Sequence, residues 1–369
     1  MKKIGILFGA ENTFPSALVE RINSLGHDGI VAEYVETGGV AMDRPCPYAV
    51  IVDRISHDVP FYRGYLRHAA LTGTYVINNP FWWSADDKFF NYALAGRLDV
   101  AVPRTVLLPH KQLPPGATER SLRNLQYPLD WDGIFAYVGF PAFLKPFNGG
   151  GWRDVHRVRD REGFFHAYDQ SRDLCMVLQA AVDFEEYFRC FVVGQQEVRI
   201  MAYDPRRPHA ERYVQGAVAT SRPLLRRVKK DALTLCRALG YDLNSVEFAV
   251  KDGVPYAIDF MNPVPDADRF SVGEENFAWA VDAVARLAVQ KAKRPGRHHA
   301  TALRWSAYLS SADAAGERRK AAATRTKKKT AKKTAIGKAT EKAAEKTQGK
   351  HPAPAHDVAA SPSARHASN

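Results

Sequence analysis

The 369-residue sequence predicts an α+β protein in which a small Rossmann-like α/β lobe comes first and a disordered basic tail comes last. Three observations predict it. Strand-like and helix-like stretches alternate over residues 1–78, hairpin signals and a glycine cluster mark residues 79–308, and aromatic residues vanish from the tail over 309–369.

Lys3–Phe8 is an apolar run ending at Gly9, as a buried parallel strand would be. Phe14–Leu25 places Ala17, Leu18, Ile22 and Leu25 at helical spacing and stops at Gly26. Gly29–Val35 and Ala49–Asp53 read as strands, Phe61–Leu71 as a helix and Thr74–Ile77 as a closing strand. A βαβ-type order with short connections implies a small parallel sheet.

The next region opens with a helix over Ala85–Ala95 and a strand over Arg104–Leu108, followed by a Pro/Gly loop and a helix from Asp130 or Trp131. Phe140–Pro146 is a strand that feeds Asn148-Gly149-Gly150-Gly151. Val155–Val158 and Met176–Gln179 are strands flanking a helix at Glu162–Gln170. Glu186–Val193 and Gln196–Tyr203 form a hairpin about Gly194-Gln195. Leu224–Leu239 is a helix closed by Gly240, and Val246–Val250 pairs with Val254–Phe260 across Asp252-Gly253. Glu274–Gln290 is the last amphipathic helix.

Composition narrows the function classes. Of the net charge of +12, +9 falls in residues 311–369, leaving +3 for the preceding 310 residues. The tail is Lys/Ala/Thr-rich, cannot bury enough apolar surface to fold, and is expected to be disordered. It would contact nucleic acid through counterion release without sequence preference, or serve only to solubilise. Cys46, Cys175, Cys190 and Cys236 have neither CxxC nor zinc spacing, which fits a reducing cytoplasm. No stretch reaches the roughly 18 apolar residues of a membrane helix, so no membrane partner is expected.

The residues that could carry chemistry form an ordered series. Asp87-Lys88 opens a helix, Phe143-Leu144-Lys145-Pro146 leads into the glycines, and Val177-Leu178-Gln179 leads through Ala180-Ala181-Val182 to Glu185-Glu186. Ser245-Val246-Glu247 is followed by Asp259 and Asn262. A glycine-rich loop between strands lets backbone N–H groups close over phosphate oxygens. A lysine ending the preceding strand adds a point charge. Two acids on hairpin-paired strands, with an amide oxygen nearby, make an oxygen cage suited to Mg²⁺. Neither GxxxxGK[ST] nor GxGxxG after the first strand is present, which disfavours a P-loop or dinucleotide site.

This series resembles the ATP-grasp superfamily, in which two α+β lobes grip ATP, and the resemblance covers roughly residues 1–305. It implies that Lys88 and Lys145 bind the nucleotide, with Asn148, Gly149, Gly150 and Gly151 as the loop over the phosphates. It makes Gln179, Ala180 and Val182 the hinge facing adenine and Glu186 the ribose-binding acid. Glu247, Asp259 and Asn262 become the ligands of Mg²⁺, or of Mn²⁺ in its place. Glu186–Gly194 is especially similar to the glutamate-adding ligases, which place an arginine at the position of Arg189. Arg189 and Arg199, on adjacent strands, are the candidates to clamp a γ-phosphate or acyl phosphate. The implied activity joins a carboxylate to an amine (or thiol), each a small molecule or a peptide, through an acyl phosphate.

Three departures leave the substrate open. Asp259-Phe260-Met261-Asn262 has one residue more than the usual Glu-x-Asn, which a bulge could absorb. Gln179 stands where the hinge usually has Glu, and Trp152-Arg153-Asp154 makes the glycine loop bulkier. Singly, each residue also has an ordinary reading: a solvated lysine, a structural glycine turn, strand acids facing water, surface arginines. Two rivals stand beside the ligase: a catalytically degenerate ATP-binding module tethered to nucleic acid by its tail, and a phosphotransferase with a non-carboxylate acceptor. Lys111–Asp130 and Asp204–Ala219 are the candidate substrate-contacting segments.

Overall fold

Strands β1 (Lys2–Leu7), β2 (Ile30–Tyr34), β3 (Tyr48–Asp53) and β4 (Tyr75–Ile77) pair in parallel, in the order β2-β1-β3-β4. This computed structural model describes residues 1–81, 87–149, 152–216, 218–262 and 264–294. A wholly parallel sheet needs cover on both faces, and side chains alternate between them. Ile4, Ile6, Val50 and Val52 face helix α1 (Phe14–Ser24) and the last helix, α8 (Glu274–Lys293). Leu7, Ile51 and Val76 face α2 (Pro60–Leu71). Each such aliphatic side chain contributes roughly 1.5–3 kcal/mol by leaving water. The crowding fixes Gly5: a Cβ there would lie 2.5 Å from Val35 Cγ2 and 2.9 Å from Tyr48 Cδ1.

A second sheet, β5 (Thr105–Leu108), β8 (Met176–Ala180), β6 (Ala142–Pro146) and β7 (His156–Val158), is antiparallel in that order. Helices α4 (Trp131–Val138) and α5 (Arg161–Gln170) cover one face with Phe135, Val138, Phe164 and Tyr168. The third sheet runs β10 (Glu197–Ala202), β9 (Glu186–Val193), β11 (Leu243–Lys251), β12 (Val254–Asn262), again antiparallel. Helix α6 (Arg222–Leu239) and the buried Tyr92 and Ala95 of α3 (Lys88–Arg97) pack on one side of it, and α8 packs on the other. Both expected hairpins turn on two residues with positive φ, Gly194 (61°) with Gln195 (58°) and Asp252 (51°) with Gly253 (70°). That pairing matches the twist of the flanking strands.

Helix α8 lies against β1 and β3 as well as β9 and β10, so the core continues past the end of β4, and Met1–Thr301 forms one compact unit. Asn78 stitches the two sheets there. Its Nδ2 donates to Leu243 O at 2.7 Å, and its Oδ1 accepts from the amides of Asp242 and Leu243, each at 2.8 Å.

The sequence reading meets this architecture at every long element, with ends shifted by a few residues. The helix expected from Ala85 is described from Lys88, capped by the Asp87 carboxylate on the Phe90 amide at 3.0 Å. The four-residue helix α7 (Arg269–Val272) was not expected, being too short to show periodicity. The tail expected to be disordered lies outside the described residues. Among the described residues no helix is long and apolar enough to cross a membrane, and all four cysteines are free thiols.

Candidate functional site

Lys145 sits near the end of β6, opposite Val177 of β8, and β8 in turn places Gln179 opposite Phe143. This diagonal puts both long side chains on one sheet face. Lys145 Nζ donates to Gln179 Oε1 at 2.8 Å and to the Tyr92 hydroxyl of α3 at 2.7 Å. An ammonium has three protons, so one remains after these two bonds. Lys145 is 7% exposed, and burial pushes its pKa down to about 8, against the upward pull of Asp259 and Glu247. The Tyr92 hydroxyl donates in turn to Ile258 O of β12 at 2.5 Å, and Gln179 Nε2 donates to Thr105 Oγ1 at 2.9 Å. A single buried chain of polar groups therefore links the second sheet to the third.

Lys88 opens α3 beside the glycine loop. Its amide donates to Phe147 O at 2.8 Å and its Nζ to Gly149 O at 2.6 Å. Gly149 has φ +90°, a value that suits glycine. Asn148 and Gly149 belong to the described loop, whereas Gly150 and Gly151 lie outside the described residues. Beyond them Trp152 is exposed, with Arg212 5.2 Å above its ring, which brings the loop against the segment 204–216. In the hinge, the amide of Ala180 donates to Arg104 O at 2.9 Å and that of Ala181 to Pro141 O at 3.0 Å. Val182 packs half-buried on the core beside α8. Glu186, at the start of β9, accepts from Thr220 Oγ1 at 3.0 Å.

Three adjacent strands of the third sheet, β9, β11 and the edge strand β12, set Arg189, Glu247 and Asp259 side by side in register. The shift between the Ser245–Asn262 and Glu247–Asp259 pairs matches two residues of β11 to three of β12. The extra residue of the Asp-x-x-Asn spacing is thus taken up as a β-bulge. Asn244, fully buried, clasps the bulge: its Nδ2 donates to Phe260 O at 2.7 Å and its Oδ1 accepts from the Asn262 amide at 2.8 Å. Asn262 Oδ1 accepts from the Val264 amide at 3.2 Å, which directs part of its capacity to its own loop.

Glu247 has a side chain only 17% exposed and accepts from the Tyr187 hydroxyl at 2.6 Å. Burial raises its pKa; Arg189 opposes that rise and the neighbouring Asp259 charge adds to it. Two carboxylates paired this closely repel each other, and a divalent cation between them would relieve the repulsion. The residues fit such an ion, although among the described residues no three His, Cys, Asp or Glu side chains converge on one point. The third ligand would have to be the Asn262 amide or a phosphate oxygen.

Arg189 is enclosed by Tyr203 and Tyr213, its guanidinium carbon 5.4 and 5.6 Å from their ring centres. Its Nε stands 3.7 Å from Glu247 Oε1, an ion pair too long for a hydrogen bond. That Nε and the buried Tyr213 hydroxyl make no hydrogen bond among the described residues. Two buried donors without a protein partner beside an acid are groups that a water or a ligand oxygen would satisfy. Arg199 shares the sheet face of Arg189, but α8 holds it: Nε donates to Asn276 Oδ1 at 2.8 Å and Nη2 pairs with Glu275 at 2.7 Å. The structure brings Lys145, Gln179, Glu247, Asp259 and Arg189 into one polar region and ties Arg199 to the helix.

Sequence reasoning missed Tyr92, Tyr187 and Asn244, and reached Tyr213 only as part of the candidate segment Asp204–Ala219. Of the three, only Asn244 left a signal, as a lone amide in the strand-like stretch Leu243–Val250. Arg54 was also missed. This fully buried side chain at the end of β3 pairs with Glu11 and donates from Nη2 to Pro265 O at 2.7 Å, holding the loop after Asn262 against the parallel sheet.

No model of a protein family matches the chain. Among curated proteins, a D-alanine–D-alanine ligase of Clostridium botulinum is 26% identical over 161 residues, which are 39% of this chain and 51% of that protein. The chain thus spans about half the length of the curated relatives it matches. A crystal structure of D-alanine–D-alanine ligase from Bacillus anthracis complexed with ATP superposes over 80% of this chain and 98% of that one, with a TM-score of 0.55 at 16% identity. An ATP-grasp RimK domain protein from Sphaerobacter thermophilus covers 78% and 98%, with a TM-score of 0.55 at 15% identity.

Proposed function

From a chain that has the ATP-grasp fold and resembles its carboxylate–amine ligases, we propose an ATP-dependent ligase that forms a C–N bond through an acyl phosphate. The observation that carries this reading is Lys145. A lysine buried to 7% exposure, bonded only to neutral partners, opposite Glu247 and Asp259, makes physical sense if its remaining proton meets a phosphate oxygen.

In this reading Lys145 and Lys88 hold the phosphates beneath the loop at 148–151, and Glu186 takes the ribose. With the Ala180 and Ala181 amides already bonded within the fold, the Val182 amide is the hinge donor left for adenine. Glu247, Asp259 and Asn262 would hold Mg²⁺, or Mn²⁺, whose positive charge stabilises the transferring phosphoryl group. The substrate carboxylate oxygen accepts the γ-phosphoryl group and ADP leaves. The amine nitrogen then attacks the carbonyl carbon, the C–O bond to phosphate breaks, and the nitrogen loses a proton. Arg189 Nε and the Tyr213 hydroxyl supply donors for the acyl group or its phosphate. The protein's part is positioning and exclusion of water, which would otherwise hydrolyse the acyl phosphate. No side-chain nucleophile is needed.

Calorimetry of MgATP with the wild type, Lys145→Ala and Asp259→Ala is the first test. Sharp loss in both variants supports the site; undiminished binding in both rejects it. Phosphate release that requires a carboxylate and rises with an added amine then separates a ligase from a phosphotransferase. One observation favours the second reading, a nucleotide-binding module without catalysis tethered by its basic tail: Asn262 Oδ1 is turned toward the Val264 amide. ATP binding with no turnover under any carboxylate–amine pair would select it.

A further inference from the structure

Helix α6 buries Leu224, Val228, Ala232, Leu235, Cys236 and Leu239 against the third sheet, and its outer face is almost entirely cationic. Arg222, Arg226, Lys229, Lys230 and Arg237 are all exposed. At about 100° per residue these five fall within an arc of roughly 100°, and they span about 22 Å at 1.5 Å per residue. The one acid in the helix, Asp231, is buried on the far side and paired with Arg227 at 2.8 Å. Among the described residues no carboxylate forms an ion pair with Arg222, Arg226, Lys229 or Lys230, and Arg237 Nε donates to the Gln195 carbonyl at 3.0 Å.

The charge distribution makes this stripe unusual for the molecule. Six cations and one acid give α6 a net +5, whereas residues 1–310 together carry only +3. The rest of that region is therefore slightly acidic, and its basicity is concentrated on one helix face. Repulsion along such a row costs stability that a compensating acid would remove, and none is present.

We propose that the outer face of α6 binds the phosphodiester backbone of a nucleic acid. The row is straight and uniform in sign, as a duplex with one charge per roughly 1.7 Å of axis requires. It carries no aromatic side chain and no acid, which a protein–protein interface would intersperse among its cations. Its side chains are all cations, the groups that make most contacts to phosphate oxygens. This inference does not depend on the ligase reading. The Lys-rich tail offers the same chemistry by composition alone, and the test must separate the two.

The full chain is titrated into fluorescein-labelled 20-bp duplex DNA and, in parallel, duplex RNA, between 50 and 300 mM KCl, with anisotropy as the readout. Arg226→Gln/Lys229→Gln/Lys230→Gln should flatten the plot of log affinity against log salt by about 2.7, at about 0.9 per lost phosphate contact. Affinity at 0.15 M salt should fall on the order of 100-fold by the same relation. These side chains are exposed, and an unchanged melting temperature would show that the variant folds. Loss in either duplex supports the proposal and names the source of the phosphates. An unchanged slope would assign binding to the tail and overturn it, as would no binding by the wild type. Equally tight binding of poly-L-glutamate at matched charge would overturn the phosphodiester assignment.

Discussion

Raising the pH from 7 to 9 should weaken MgATP binding, with Lys145 as the group responsible. Its pKa lies near 8 because burial disfavours the ammonium more than Asp259 and Glu247 favour it. At pH 9 about one site in ten carries the charge before ATP arrives, so affinity should drop about tenfold, or about 1.4 kcal/mol. ATP would restore the proton on binding, and at pH 8.5 roughly 0.75 of a proton should be taken up per site. Calorimetry in buffers of different ionisation enthalpy measures that uptake directly. Stability moves in the opposite direction. A lysine lowered from 10.5 to about 8 binds fewer protons folded than unfolded within that window, so the ligand-free fold gains stability as pH rises through it, by about 3 kcal/mol at most. Lys145→Met should bind weakly at every pH, take up no proton and lose the alkaline gain in urea denaturation. The same pH slope in wild type and Lys145→Met would refute the assignment.

Three further outcomes follow from the third sheet. Asn244→Ala leaves Phe260 O and the Asn262 amide without partners in a buried bulge and should cost about 2–4 kcal/mol in urea unfolding. Asp259→Asn removes one of two facing carboxylates. Millimolar Mg²⁺ should therefore raise the melting temperature of the wild type but not of the variant, which in metal-free buffer should be no less stable than the wild type. Tyr213→Phe should leave MgATP affinity unchanged while lowering carboxylate-dependent kcat/KM about tenfold, since its hydroxyl has no partner within the fold to lose.

How far the sequence reached depended on whether a feature was local. The parallel lobe was legible because Ile4, Ile6, Val50 and Val52 alternate with residues facing the other helix, and buried parallel strands have few other compositions available. The two hairpins were legible because Gly194-Gln195 and Asp252-Gly253 announce their own turns. The second hairpin brought the two strands together but by itself sets Glu247 opposite Ile258. The pairing with Asp259 comes from a register shift between Glu247 and Phe248 that the sequence did not signal, whereas the bulge before Asn262 followed from counting one residue too many. What stayed hidden was contact between segments distant in sequence. Tyr92 reaches Lys145 across 53 positions and Tyr187 reaches Glu247 across 60, and an isolated tyrosine in a helix or strand reads as core. Arg199 shows the reverse case. Its alternation with Arg189 was correct, yet Glu275 and Asn276 arrive from a helix more than 70 positions later and hold it.

The same distinction bears on the proposed ligase, whose nucleotide side is better defined than its substrate side. In that proposal phosphate recognition would rest on Lys145, Lys88 and the loop at 148–149, each placed by a strand end or helix start whose position the local pattern fixes. The proposed acyl side would rest on Arg189 and Tyr213, and Tyr213 is brought back by a loop that pairs, among the described residues, through the bridge from Tyr203 to Tyr213. Such a loop can change length and composition without disturbing the sheet that carries Glu247. The unpaired donors on Arg189 and Tyr213 therefore mark the proposed acyl site more sharply than any motif does. In the proposed ligase, an acceptor that reaches Arg189 Nε would have to sit beside Glu247, whose Oε1 lies 3.7 Å from that nitrogen, while accepting a hydrogen bond from it.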